Sequence, residues 1–309
     1  MSYYQQSKRR ISGIGEDGNS LMMLIVVLLT IFIIFTLIKV VYYFSFGPEG
    51  LTLYNNQVLD WVSLPAHIPT LLTRPWTLLT HFFMHDGVWH LITNLLWLWG
   101  FGHILQDLLN NRTVVPIFLY GAFAGAVAYI IFYNLIPTLN ANIESSSAIG
   151  ASAGVMAIAI ATTVLAPNFR IFPLINGGIP LWVVTLIFVI IDLATIPYNN
   201  PGGHIAHLAG AGMGFLFMVM FKKSSDWSGW INAFFDWVNN LFNPDKPKRG
   251  RTTKSQVFYK TGTVVPFKVT KSNVTQQRVD EILDKIHQKG YNALTVEEKE
   301  ILKRAGEEK

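Results

Sequence analysis

The chain of 309 residues contains no cysteine. That excludes disulfides, Cys–zinc sites and thiol catalysis, and says little about compartment. Charge is scarce as well: Asp, Glu, Lys and Arg make up 14% of residues, against roughly 25% in soluble domains. Apolar residues reach 51%, and they gather into runs of about 20. Together these values exclude a water-soluble globule and imply an all-α polytopic membrane protein. There is no H-E-x-x-H, so that zinc-protease helix is excluded too. The net charge of +5 sits mostly at the two ends of the chain, a pattern that sets topology rather than nucleic-acid binding.

What is present is a series of apolar segments. Lys8, Arg9 and Arg10 precede a run over 21–46. That run is longer than a signal-peptide core and no small-residue cleavage site follows, so it reads as an uncleaved first span, with Lys39 snorkelling or lining the bundle. An aromatic- and Leu-rich loop over 47–87 is too apolar for a floppy linker and is expected to lie partly in the membrane interface. Further spans are expected at about 88–106, 114–136, 150–166, 180–197 and 203–221, making six within a membrane domain of 20–222. Residues 1–19 form the preceding segment. Beyond the bundle, Trp227, Trp230, Ile231, Phe234, Phe235, Val238, Leu241 and Phe242 recur at helical spacing, so 223–243 reads as an amphipathic interfacial helix. A basic linker over 244–275 carries Lys246, Lys248, Arg249, Arg251 and Lys254, and 276–309 reads as a small helical pair. In that pair Val279, Ile282, Leu283 and Ile286 form a stripe, Gly290 a C-cap, and Thr295 with Glu298 a capping box.

Lys and Arg also set orientation. They occur at the N-terminus, at Arg112, at Arg170 and in the C-terminal tail, whereas the alternate loops hold only Arg74. Both termini are therefore expected in the cytoplasm. The second, fourth and sixth spans then run inward from the outer face. His90 and Asn94, Ser152, and His204 and His207 lie in their first turns, all within roughly 10 Å of the outer boundary at 1.5 Å per residue.

Ser152 sits in Gly150-Ala151-Ser152-Ala153-Gly154. Small residues of this kind let membrane helices pack closely, and on this stretch alone packing is the plainer reading. The pattern G-x-S-x-G also matches a nucleophile elbow, but that motif needs a strand before it and here a membrane helix follows. Histidines inside spans are expensive and point to function. Gly210 and Gly214 would let the sixth span approach the fourth, bringing a neutral His207 to Ser152 as general base to nucleophile. His90 and Asn94, one turn apart, could bind an oxyanion together with the backbone N–H of Ser152. His81 and His85 are expected to tie down the outer loop, and His204 to cap its helix or face water. A metal or haem held by the histidines is the competing reading, weakened because Asp86 is the sole carboxylate beside them in sequence. Asp192, near the outer end of the fifth span, is expected to pack, hydrogen-bond or face the interface, without a link to the serine.

These residues carry a resemblance. His81-Phe82-Phe83-Met84-His85, His90-Leu91-Ile92-Thr93-Asn94, Gly150-Ala151-Ser152 and His207-Leu208-Ala209-Gly210 resemble the rhomboid family of intramembrane serine proteases, as do Arg74-Pro75-Trp76 and Phe101-Gly102. The resemblance covers about 20–222. It implies a six-transmembrane-helix bundle and a dyad with Ser152 as nucleophile and His207 as base. His90 and Asn94 fall on its oxyanion positions, His81 and His85 on its loop-supporting positions, and Gly210 on its helix-packing position. Ala153 and Met156 depart from the family's usual glycine and aromatic residue, which bears on pocket shape. The acidic residue common after the second span is not clearly matched by Gln106 or Asp107.

The expected activity is hydrolysis of other membrane proteins, single-span ones above all, near the outer face of a bacterial inner-membrane type bilayer. Ser145, Ser146 and Ser147 are expected to line a polar recess that admits water. Substrates should carry helix breakers, because a helical backbone hides its carbonyls. No metal, other cofactor or nucleic acid is called for. The alternatives are an inactive rhomboid-like chaperone or adaptor and a small-solute transporter; the transporter would want broken helices or an ionisable midplane path.

Overall fold

The computed structural model describes residues 19–172, 177–241 and 276–307. Two compact units are present, 1–246 and 247–309.

Six long helices build the first unit: α1 (Ser20–Phe46), α2 (Val88–Leu108), α3 (Val114–Leu135), α4 (Ser152–Leu165), α5 (Leu181–Thr195) and α6 (Pro201–Lys222). They fall where the apolar runs lie. α1, the segment containing α3, and α6 are long and apolar enough to cross a membrane, and α4 and α5 are shorter apolar helices. Large apolar side chains point outward: Ile33, Ile34 and Leu37 on α1, Trp89, Leu96 and Trp99 on α2, Leu186, Ile187 and Ile190 on α5. A surface of this kind suits acyl chains and not water. The chain is a multi-pass membrane protein.

Helix ends follow local chemistry. Asn19 accepts a hydrogen bond from the Met22 N–H at the start of α1 (3.1 Å). α6 begins at Pro201, two residues before the expected 203. Asn200 takes a left-handed conformation, its side chain caps the Gly203 N–H (3.1 Å), and Pro201 follows at the first helical position.

α6 packs on α4 and α3, and α3 packs on α4. Small residues make this possible. A Cβ on Gly210 would lie 2.2 Å from the Ala153 carbonyl oxygen, and one on Gly214 would lie 2.2 Å from that of Ala157. Backbone meets backbone here, so the sixth and fourth helices approach as closely as helices can. The main core runs through the bundle, with Leu98, Phe101, Phe118, Ile158 and Phe217 among its buried side chains. A smaller cluster of Leu64, Ala66, Ala126, Tyr129 and Tyr133 lies under the segment 64–66.

The loop over 47–87 is structured. It holds short helices at Glu49–Gln57, Ile68–Thr73 and Thr77–Thr80. Trp61 stacks on Trp76 (6.0 Å, 7°), and the Arg74 guanidinium lies over the Trp61 ring at 4.5 Å. Lys39 Nζ pairs with Asp86 (2.8 Å), tying the far end of α1 to the residues just before α2. Two residues, β1 (Leu64–Pro65), pair antiparallel with β2 (Ser147–Ala148), just before the serine.

After α6, α7 (Gly229–Leu241) turns Ile231 inward and leaves Trp230, Phe234 and Trp237 exposed. Arg112 pairs with Asp236 (2.6 Å), and the Tyr120 hydroxyl donates to the Trp227 carbonyl (3.1 Å). The basic linker 244–275, Phe242 and Lys8, Arg9 and Arg10 lie outside the described residues.

In the second unit, α8 (Gln276–Lys289) and α9 (Val296–Glu307) flank a turn at Gly290, whose φ is +80°. The Thr295 hydroxyl accepts from the Glu298 N–H (3.3 Å) and Glu298 accepts from the Thr295 N–H (2.8 Å), the reciprocal pair expected of a capping box. Ile282 is buried, whereas Leu283 is half exposed, which narrows the expected stripe.

Candidate active site

α4 has 14 residues, about 21 Å of helix, against a hydrocarbon core of about 30 Å. It therefore starts within the bundle, and Ser152 is its first residue. Gly150 makes this descent possible. Its φ of +123° is closed to other residues without strain, and a Cβ there would lie 2.8 Å from the His90 ring.

The loop before Ser152 is held from several sides. The Gly150 N–H donates to the His81 carbonyl (2.9 Å), and the Ala151 N–H points at His85 Nε2 (3.4 Å). The Ala66 N–H donates to the Ser146 carbonyl (3.0 Å). His81 in turn places Nδ1 at 2.7 Å from the Thr77 carbonyl, which makes Nδ1 the protonated nitrogen. The His81 backbone and the His85 ring thus both contact the residues just before Ser152.

Burial pushes both imidazoles down from 6.5 to about 4, and for His85 the neighbouring His90 adds to the effect. Both rings are neutral at pH 7. A base whose pKa is lower folded than unfolded stabilises the fold above the unfolded value, and that stability fades as pH falls from about 6.5 toward 4. The thermal unfolding midpoint, followed by tryptophan fluorescence in detergent, is expected to drop across this window by an amount reflecting at most roughly 3 kcal/mol per imidazole. His81→Asn should weaken the dependence; a midpoint flat between pH 7 and 4.5 would contradict it.

Ser152 Oγ lies 2.7 Å from His207 Nε2 on α6. One cavity of about 450 Å³ is lined by His90, Asn94, Trp97, Ser152, Met156, Phe188, Asp192 and His207, among others. Asn94 spends one amide N–H on the His90 carbonyl (2.9 Å) and retains a second. Ala151, which caps α4, offers no side-chain acceptor to the first N–H groups of the helix. Gly210 and Gly214 lie deeper, against Ala153 and Ala157. Water access differs from expectation. Ser145 and Ser146 donate to the Asn142 carbonyl (3.2 and 2.7 Å) and Ser147 pairs in β2, so these serines shape the turn, and His90, Thr93, Asn94 and Asn200 give the cavity its polar lining.

The larger correction concerns Asp192. Its Oδ1 accepts from His207 Nδ1 (3.0 Å) and from His204 Nδ1 (2.7 Å). His204 therefore spends Nδ1 on this carboxylate rather than on capping its helix. A usable signal was present in the sequence. Asp192 ends one span and His204 and His207 begin the next, with a short connection between, so antiparallel neighbours bring them to one depth.

Asp192, His204 and His207 also form, among the described residues, the one group of three or more potential metal ligands, with donor atoms within 4.8 Å of one another. Metal–nitrogen bonds of 2.0–2.1 Å in a tetrahedron separate neighbouring donors by about 3.3 Å. The observed 2.7 and 3.0 Å are hydrogen-bond separations, so the donor set fits shared protons better than a zinc ion.

Residues 72–224 match the model of the Rhomboid domain. Residues 267–307 match a family of unknown function, DUF6576. Two relatives named Rhomboid protease GlpG, from Salmonella newport (strain SL254) and Salmonella heidelberg (strain SL476), are each 32% identical over 68 residues, 22% of this chain and 24% of the relative. The chain thus matches about a quarter of the length of these curated relatives.

Proposed function

We propose that this chain, which belongs to the rhomboid family of intramembrane proteases, is a serine endopeptidase that cuts transmembrane segments of other membrane proteins near the outer face. The observation that carries this reading is the Ser152 Oγ–His207 Nε2 contact of 2.7 Å within an apolar helix bundle. His207 removes the Ser152 proton as the oxygen attacks a peptide carbonyl. The tetrahedral intermediate collapses, His207 returns the proton to the leaving amine, and water hydrolyses the acyl-enzyme by the same steps. His90, Asn94 and the Ser152 N–H stabilise the oxyanion.

In this reading all six helices cross the bilayer, the termini face the cytoplasm of a bacterial inner-membrane type bilayer, and substrates are single-span proteins that unwind at the cavity. α7 lies in the inner interface with Trp230, Phe234 and Trp237 toward lipid. The test is incubation with single-span reporters in proteoliposomes, comparing wild type with Ser152→Ala. Fragments made by wild type alone support the reading. Identical band patterns, with no fluorophosphonate labelling of the folded wild type, would place the chain with non-cleaving chaperones or adaptors. Asn94→Ala is expected to lower kcat by about 10²-fold with little change in KM, because an oxyanion donor acts mainly in the transition state. Steady-state turnover of the same reporter checks this.

A further inference from the structure

α5 is apolar along its length, and its exposed face carries Leu186, Ile187, Ile190 and Ile191. The single carboxylate of the helix, Asp192, is 5% exposed and turned inward. A buried acid in a membrane helix is expensive unless paired, and its presence demands a reason. Among the described residues no Lys or Arg pairs with it. Its partners are two imidazole nitrogens, one of them on the ring that faces Ser152.

We propose that Asp192 is a positioning residue for His207: it holds the ring with its proton on Nδ1, so that Nε2 is free to accept the Ser152 hydroxyl proton, and it stabilises the imidazolium that then forms. This rests on the protease reading above.

Three observations carry it. The chain Asp192 Oδ1–His207 Nδ1–His207 Nε2–Ser152 Oγ is continuous, with contacts of 3.0 and 2.7 Å. The opposite tautomer would turn the Nδ1 lone pair toward a carboxylate oxygen, and would leave Nε2 unable to accept from the serine. Among the described residues the one ring contacting His207 is His204, edge-on at 5.9 Å, so no aromatic face fixes the imidazole by stacking. Met156 lines the cavity without doing so. Orientation is left to the hydrogen bond.

His204 has a supporting part. It donates to the same Oδ1 at 2.7 Å, while Oδ2 has no partner among the described residues. The second donor fixes which oxygen faces His207. It also shares the charge, so the loss on removing Asp192 should fall below the roughly 10⁴-fold seen when a serine-protease aspartate becomes asparagine.

The test uses the full chain in proteoliposomes. Asp192→Asn is expected to lower kcat about 10²-fold on a single-span reporter, leaving KM within about two-fold and slowing fluorophosphonate labelling of Ser152 in parallel. Asp192→Glu should recover at least a tenth of wild-type kcat. Wild-type activity in Asp192→Asn overturns the proposal. So does a Glu variant no better than the Asn variant, or a loss seen in KM alone.

A second measurement needs no variant to fold at position 192. In wild type labelled with ¹⁵N-histidine, with the His207 signal assigned through His207→Gln, Nδ1 should be protonated and Nε2 not at neutral pH. An Nε2-protonated ring overturns the proposal. If wild type and Ser152→Ala cleave alike, the protease reading fails instead, and the tautomer still reports on Asp192 by itself.

Discussion

Ser152→Ala and His207→Ala are each expected to abolish reporter cleavage, lowering kcat by about 10⁴-fold or more. In the proposed mechanism Ser152 Oγ is the group that bonds to the substrate, and alanine leaves the cavity without a nucleophile at that point. His207 Nε2 lies 2.7 Å away and is the base proposed to take its proton. An unassisted serine hydroxyl is a weak nucleophile near pH 7. The two act as one unit, so the double variant should be no slower than either single variant. Multiplicative losses in the double variant would mean that they act separately. Alkyl fluorophosphonate labelling gives an independent readout: wild type labels and neither variant does. Residual cleavage within ten-fold of wild type in either variant would sink the assignment.

Gly210→Val should cost about 10³-fold in turnover while the helices themselves still form. A Cβ at 210 would lie 2.2 Å from the carbonyl oxygen and 2.8 Å from the carbonyl carbon of Ala153, both backbone atoms. Neither can swing aside as a side chain could, so α6 must move away from α4 by about 1 Å or more. Ser152 rides on α4 and His207 on α6. A displacement of about 1 Å at reacting groups costs about 10² in rate, and the two valine methyls enlarge it. Overpacking of this kind also destabilises by roughly 1–3 kcal/mol. Gly212→Ala is the control, since a Cβ there meets nothing within 4 Å, and it should keep near-wild-type turnover and stability. Equal losses at 210 and 212 would mean that helix chemistry, and not interhelical approach, is responsible.

Much of the site was legible in the chain because the relevant signals are local. Ser152 and His207 could be placed at one depth from span boundaries, loop charges and the rise per residue of a helix. Gly210 and Gly214 announced a close approach by their spacing. The expectation that His81 and His85 prop the loop follows from their position ahead of α2 and from the family resemblance. The chain alone does not show which way Asp192 faces, and so does not join it to the histidines. Depth can be counted along a sequence; rotation about a helix axis relative to a neighbour cannot. The same limit applied to Lys39, whose partner Asp86 lies in a distant loop. It applies again to Ser145 and Ser146, whose hydroxyls donate to the Asn142 carbonyl within their own turn.

The sequence by itself determined the solvent of this protein, the segments that become helices and the end of the bundle at which its polar side chains gather. Those properties follow from hydropathy, helical period and capping residues, which act within a few turns of chain. Only the tertiary structure decided that a carboxylate from α5, an imidazole from α6 and a hydroxyl from α4 share one line of hydrogen bonds. That outcome depends on which helices touch and how each is turned. Close packing between residues far apart in the chain sets both.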